Sequence, residues 1–358
     1  MKLPGSLTLL CLFTFLLYGS GQSREDPEAQ IPYEANILEQ INKIKQDPLL
    51  NNALSLHTKQ GIRHIRVKDI RYLDLNHPVD IIIHHANNIE RIPRSDIDYF
   101  HITCITLPDR KNVARSGSAF MRDIEVLSFG EREAEILREI LSGNIPDITR
   151  EFITCRSRFT DASGVTRTLE YQVMSDYLSI GTNADYCRIP MSPQTAQKIA
   201  DAFGCILPTR KLCDDIWKHA ALQMKPIPYK PEGNRNELVR TFVEHNKDIN
   251  ADRDAAGGQV YELIAGIKKD VVICNALKTK SGFVAIYGWH NTDGSPIQPL
   301  YTGHIDTYVD YSHGVRLIHA VMRIDGSTMH ANDILRDPVL YKLISDENGV
   351  MEQPYYQY

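Results

Sequence analysis

The chain has 358 residues, 42% of them hydrophobic and 24% charged, and a net charge of -5 at pH 7. This composition excludes wholesale disorder, and the length suits one large domain or two modest ones. A mildly acidic balance without a long basic block excludes nucleic acid as the expected partner, so the cluster Arg63, Arg66, Lys68 and Arg71 reads as a solvated face.

Residues 1–21 read as a secretory signal peptide. Lys2 precedes an apolar run from Leu7 to Leu17, interrupted by Thr8, Cys11 and Thr14, and the small residues Gly19, Ser20 and Gly21 follow. The run is too short to cross a hydrocarbon layer of ~30 Å. Cleavage is expected after Gly21, and the alternative is an uncleaved anchor. No later stretch is long and apolar enough for a membrane span, so a secreted, periplasmic or extracellular location is expected. Seven cysteines less Cys11 leave six, a number that permits disulfides in an exported protein. Cys205 and Cys213 are close enough to pair, although buried free thiols fit equally well.

Residues 22–31 read as a polar linker, and residues 32–125 as an N-terminal region. Ile37, Leu38, Ile41 and Ile44 predict a helix over 33–49. Ile65–Val67, Tyr72–Leu75, Val79–Ile83 and His101–Leu107 read as short strands, or as part of a small α/β region. The polar segment 108–123 is the expected boundary.

Residues 126–358 read as the main α+β domain. Ser128 should cap a helix over 132–141, and Gly143 should end it. Strands are expected over 148–156 and 167–174, with Asp161-Ala162-Ser163-Gly164 as the hairpin turn. Tyr177–Gly181 reads as a further strand end. Ser192-Pro193 and Pro208-Thr209 should each open a helix. Pro226 to Pro231 reads as an extended connector, followed by a polar helix over 237–250. Strands are expected at 270–275, 284–289, 308–311 and 315–324, then a helix from Ala331 to Ile344. Helices segregated from antiparallel strand pairs predict α+β rather than alternating α/β.

The densest polar string runs from Tyr301 to Gly314 and holds His304, Asp306, Asp310, Ser312 and His313. On a strand, His304, Asp306 and Asp310 would share one face, with His313 on the other unless Gly314 introduces a bend. A histidine beside a carboxylate makes a general base with its orienting partner, and the same residue types suit a metal ion. His313 is therefore the expected base and Asp310 or Asp306 its partner. His304, Trp289, His290 and Lys269 are expected to bind substrate. No H-E-x-x-H or G-x-S-x-G pattern is present, no CxxC pair suggests zinc, and the cofactor and metal remain unassigned. Against these roles stand plainer ones: a polar strand end, a core tryptophan and solvated lysines.

Asp185, Arg188 and the helix start at Ser192 could hold an anion, although Ser192 as a simple cap explains the same pattern. Cys187 is a weak nucleophile candidate, standing five residues ahead of that cap. His84-His85 reads as a strand terminus.

Ser192–Gln197, Leu207–Thr209, Ala265–Asp270, Tyr287–His290, Pro296–Pro299 and Val309–Gly314 resemble strings in a family of uncharacterised secreted bacterial proteins, over about residues 131–350. The resemblance implies export and carries no assigned reaction. Together these readings predict a secreted hydrolase acting on an extracellular or cell-wall polymer, peptide or glycan, through a His/Asp site. The alternative is a secreted protein that binds a polymer or small ligand in the same cleft without turnover.

Overall fold

A computed structural model describes residues 53–58, 61–103, 107–108, 110–150, 152–258 and 261–358. The signal segment, the linker and the helix expected over 33–49 lie outside the described residues. The chain divides into two compact units, Met1–Thr106 and Leu107–Tyr358. The division falls ahead of the polar segment 108–123 because that segment builds a helix of the second unit. Ser116 accepts from the Ala119 amide there, and Phe120, Met121 and Ile124 are buried.

The first unit is built from antiparallel strands. β1 (Ala53–Thr58) lies between β2 (Gly61–Arg66) and β6 (Ile97–Thr103). β3 (Tyr72–Asp74), β4 (Asp80–His84) and β5 (Ile89–Pro93) form a second meander. Alternate side chains from both ladders, including Leu54, Leu56, Ile65, Leu73, Ile81 and Ile83, form one apolar core.

The second unit is α+β. Its helices are α1 (Gly117–Ile124), α2 (Phe129–Leu141), α3 (Pro193–Ala202), α4 (Arg210–His219), α5 (Val239–Ala255) and α6 (Ala331–Arg336). Local chemistry sets their starts. Ser128 and Glu131 make a reciprocal capping box on α2, and Ser192 and Thr209 cap α3 and α4. The helix expected from Ala331 to Ile344 ends at Arg336. Pro338 pushes Asp337 into an extended conformation (ψ 126°), and Leu340–Leu343 adds only a 3-10 turn.

β7 (Phe152–Thr160) and β8 (Thr166–Met174) form the expected hairpin. Asp161 closes its turn by accepting from the Ser163 and Val165 amides at 2.9 and 3.0 Å. β9 (Ser179–Gly181) pairs with β10 (Tyr186–Arg188). β8 is central to a larger sheet with β11 (Cys205–Ile206), and β12 (Leu222–Gln223) pairs in parallel with β13 (Ile264–Ala265).

A further sheet carries the chemistry. Its strands are β14 (Lys269–Val271), β15 (Phe283–His290), β16 (Pro296–Ile305) and β17 (His313–Gly314), in the order β16-β15-β14-β17. β18 (Ile318–His319), β19 (Val321–Ile324) and β20 (Ser327–His330) then return to the sheet around β8. Sequence reasoning misses β16, because Pro296 and Pro299 argue against a strand. The strand lies at the edge of its sheet, where proline is tolerated. The strand expected at 308–311 does not form. Asp310–His313 is a turn, with the His313 amide donating to the Asp310 carbonyl at 3.1 Å.

Candidate functional site

Register decides which side chains meet. Lys269 stands opposite both Gly288 and His313. On the other side of β15, Val284, Ile286 and Gly288 stand opposite His304, Tyr301 and Gln298. The β15 positions are two apart and their β16 partners three apart, because two register shifts interrupt the pairing. Each shift adds a residue to β16 and cancels the usual alternation. Gln298, Tyr301 and His304 therefore share the face that carries Lys269 and His313.

β15 ends in an unusual conformation. Gly288 has φ 99° and the following Trp289 has φ 56°. The left-handed region costs a non-glycine residue about 1–2 kcal/mol, so the surrounding packing must hold Trp289 there. The Trp289 amide donates to the Lys268 carbonyl at 3.1 Å, and the Lys269 ammonium lies 5.2 Å from the buried indole.

Lys268 is also buried, with its ammonium donating to the Tyr311 carbonyl and approaching His245 Nδ1 at 3.1 Å. Burial pulls its pKa down to about 7. His245, on α5, packs against Tyr311, Tyr229 and Trp289 at ring separations of 4.7, 5.4 and 6.3 Å. Burial and then Lys268 hold its pKa at about 2, so the ring is neutral.

His313 is 1% exposed. Its Nε2 lies 4.0 Å from Asp310 Oδ1, beyond hydrogen-bond reach. Asp310 is already engaged. It accepts from the Ser312 amide at 2.7 Å, from the Ser312 hydroxyl and from the Tyr308 hydroxyl at 3.3 Å. Burial pushes the Asp310 pKa up, but His313, Lys269 and the Ser312 bonds bring it down to about 2. Burial lowers the His313 pKa to about 4, against the pull of Asp310. The expected pairing of a base with an orienting carboxylate is thus not made.

Asp306 is further corrected. It follows the end of β16 rather than sharing a strand face with His304 and Asp310, and it accepts from the Gln194 amide. Its backbone N–H donates to the Gly282 carbonyl at 2.9 Å.

Four buried nitrogens in this cluster lack a hydrogen-bond partner: Trp289 Nε1, His245 Nε2 and both ring nitrogens of His313. A protonated Lys268 can only donate to His245 Nδ1, and in that state the ring proton is on Nε2, which makes that atom a donor. The Ile227 carbonyl is near enough to favour the protonated ring, yet it does not meet Nε2 in hydrogen-bond geometry. Trp289 Nε1 can only donate. An unmet buried polar group costs about 1–3 kcal/mol, and a cluster of them calls for an explanation.

His290 belongs to the opposite face. Its Nε2 donates to Asp214 Oδ1 at 2.8 Å, and the Tyr287 hydroxyl reaches the same oxygen at 2.7 Å. Trp217 stacks on the imidazole at 6.1 Å. Asp270, adjacent to Lys269, accepts from the Tyr177 hydroxyl at 3.0 Å, and burial raises its pKa to about 6. The structure therefore groups His313, Asp310, His304, Trp289 and Lys269, and separates Asp306 and His290 from them. Sequence reasoning misses His245, Tyr229 and Tyr308 as neighbours of the site, and of the pair Lys268-Lys269 it selects Lys269.

The other candidates have structural explanations. The α3 start already holds an anion, since Glu133 accepts from the Ser192 amide and hydroxyl at 2.9 and 2.7 Å. Cys187 is buried and its thiol pKa is pushed up to about 12, against a role as nucleophile. Cys155, Cys187, Cys205, Cys213 and Cys274 are buried free thiols. His85, at the end of β4, meets Glu90 across the hairpin at 3.3 Å. Among the described residues no group of three or more His, Cys, Asp or Glu side chains is placed to hold a metal, and no helix is long and apolar enough to cross a membrane. No family model, curated protein or solved structure matches the chain.

Proposed function

We propose that the second unit is a secreted binding protein for an extracellular polymer or small ligand carrying an oxyanion. The observation that carries this reading is the group of unmet buried donors beside two lysines. Trp289 Nε1 and His245 Nε2 lack acceptors, and the Lys269 ammonium lies 5.2 Å from the indole, so a carboxylate would suit this group. Extracellular placement is supported by the signal-like N-terminus and the resemblance to secreted bacterial proteins. Binding is favoured over hydrolysis because His313 lies 4.0 Å from Asp310 and has no oriented proton.

The chain contains two tryptophans, Trp217 and Trp289. A Trp217→Phe variant makes Trp289 the sole indole reporter. Titration with N-acetylglycine is expected to give a saturable fluorescence change that Lys269→Met weakens about tenfold. A folded protein showing no saturable response would remove the proposal. Turnover of a polymer that His313→Ala abolishes would restore the hydrolase reading.

A further inference from the structure

We propose that the oxyanion is borne on a sugar ring, so that the ligand is a uronic-acid glycan lying along Tyr301, His304 and Tyr308 with its carboxylate at Lys269, Trp289 and His313. This inference rests on the oxyanion-binding reading above. Four rings run from the surface into the cluster. Tyr301 meets His304 at 5.0 Å, His304 stacks on Tyr308 at 4.3 Å, and Tyr308 meets His313 at 5.9 Å. Tyr301 is exposed, His304 and Tyr308 are half-buried, and His313 is enclosed. Aromatic rings of this kind offer an apolar face with a polar edge, which suits the C–H face and hydroxyl rim of a sugar.

The position of Tyr301 is specific. A Cβ on Gly303 would come within 2.3 Å of the Tyr301 hydroxyl oxygen and 2.4 Å of Cζ. The phenol thus lies along the strand over a residue without a side chain. The two insertions in β16 bring Tyr301 and His304 onto the face of Lys269 and His313, so the aromatic row leads along one face of the sheet toward the buried donors. A neutral glycan would bring no anion to the buried donors Trp289 Nε1 and His245 Nε2. An extended peptide would normally add to an open strand edge, but Pro296, Pro299 and both insertions interrupt that edge.

The full chain is titrated by calorimetry with trigalacturonate, maltotriose, N-acetylglycine and triglycine. Trigalacturonate is expected to bind at least tenfold more tightly than N-acetylglycine, with no saturation by maltotriose over the same range. Gly303→Ala should displace the end of the Tyr301 ring and bring trigalacturonate affinity to that of N-acetylglycine, whose own binding stays unchanged. Tyr301→Ala serves the same purpose if circular dichroism shows Gly303→Ala to be misfolded. Equal affinities for trigalacturonate and N-acetylglycine, or a preference for triglycine, would overturn the glycan inference and leave oxyanion binding intact. Unchanged trigalacturonate affinity in the variants would also overturn it. Failure of every carboxylate to bind would remove both readings.

Discussion

Trp289 and His290 are consecutive, yet they serve opposite faces of one sheet. The indole lies beneath the Lys269 ammonium at 5.2 Å, while the imidazole donates to Asp214 at 2.8 Å. Lys269 and Asp270 repeat this division on the neighbouring strand. The arrangement allows substitutions on the two faces to be read separately.

His313→Leu should stabilise the unliganded protein by about 1 kcal/mol. It removes two unmet buried nitrogens and replaces them with an apolar side chain of comparable size. Binding of N-acetylglycine should weaken at the same time. Urea unfolding with an unchanged m-value, alongside the fluorescence titration, checks the trade. A loss of stability would indicate that the imidazole is satisfied in the free protein.

Stability should rise with pH between about 4 and 6. Burial holds His313 at about 4 and His245 at about 2, so their unfolded forms bind protons that the folded forms refuse below 6.5. Their contribution is lost as pH falls through this window. Asp270 acts in reverse. Burial raises its pKa to about 6, so the stability it contributes at low pH is lost as pH rises toward 6. Glu347, raised by burial, acts in the same sense as Asp270, but the two histidines together with His304, His319 and His330, all lowered by burial, outnumber these two carboxyls and leave a positive slope. His313→Leu should reduce the slope by about 1.4 kcal/mol per pH unit. Parallel urea series from pH 4 to 6 would show an unaltered slope if His313 titrates normally.

Asp214→Ala should destabilise the protein by about 1–3 kcal/mol, because His290 Nε2 and the Tyr287 hydroxyl both lose their acceptor. Asp214→Asn keeps an acceptor and should cost under about 1 kcal/mol. Neither change should shift carboxylate affinity by more than about twofold, since Asp214 serves the opposite face. Thermal melts and the titration, run on the same samples, separate the two effects. A large loss of affinity would show that the faces are coupled.

Gly288→Ala should cost about 1–2 kcal/mol, because φ 99° is unfavourable for any residue with a Cβ. The added carbon would also stand 3.2 Å from His290 Cε1. Relief of that strain would turn Trp289 away from Lys269 and weaken binding. A melting temperature and an affinity equal to those of the parent would refute this account of the strand end.

Much of the fold was legible because its signals are local. Ser128, Ser192 and Thr209 each stand before a periodic apolar face, and each caps the helix expected of it. Asp161 to Gly164 likewise supplies the chemistry of its turn. The polar string around His313 was legible as composition but not as geometry. Strand alternation would align His304 with Asp306 and Asp310, whereas the strand ends at Ile305 and a turn begins at Asp310. His245 gave no local sign. It lies on a helix whose buried side also includes Thr241 and Asn246, where polar residues would ordinarily be assigned to solvent.

The doubly shifted pairing of β16 also has a consequence for how this surface could change. Gln298, Tyr301 and His304 face one way only because the strand carries surplus residues between them. Losing a single residue between Tyr301 and His304 would restore ordinary alternation there and leave the two rings two positions apart on the same side, still opposite Ile286 and Val284 of β15. The aromatic row is thus tied to the number of residues and the pairing register together: a strand of the same length paired without the shifts would place Tyr301 and His304 on opposite sides.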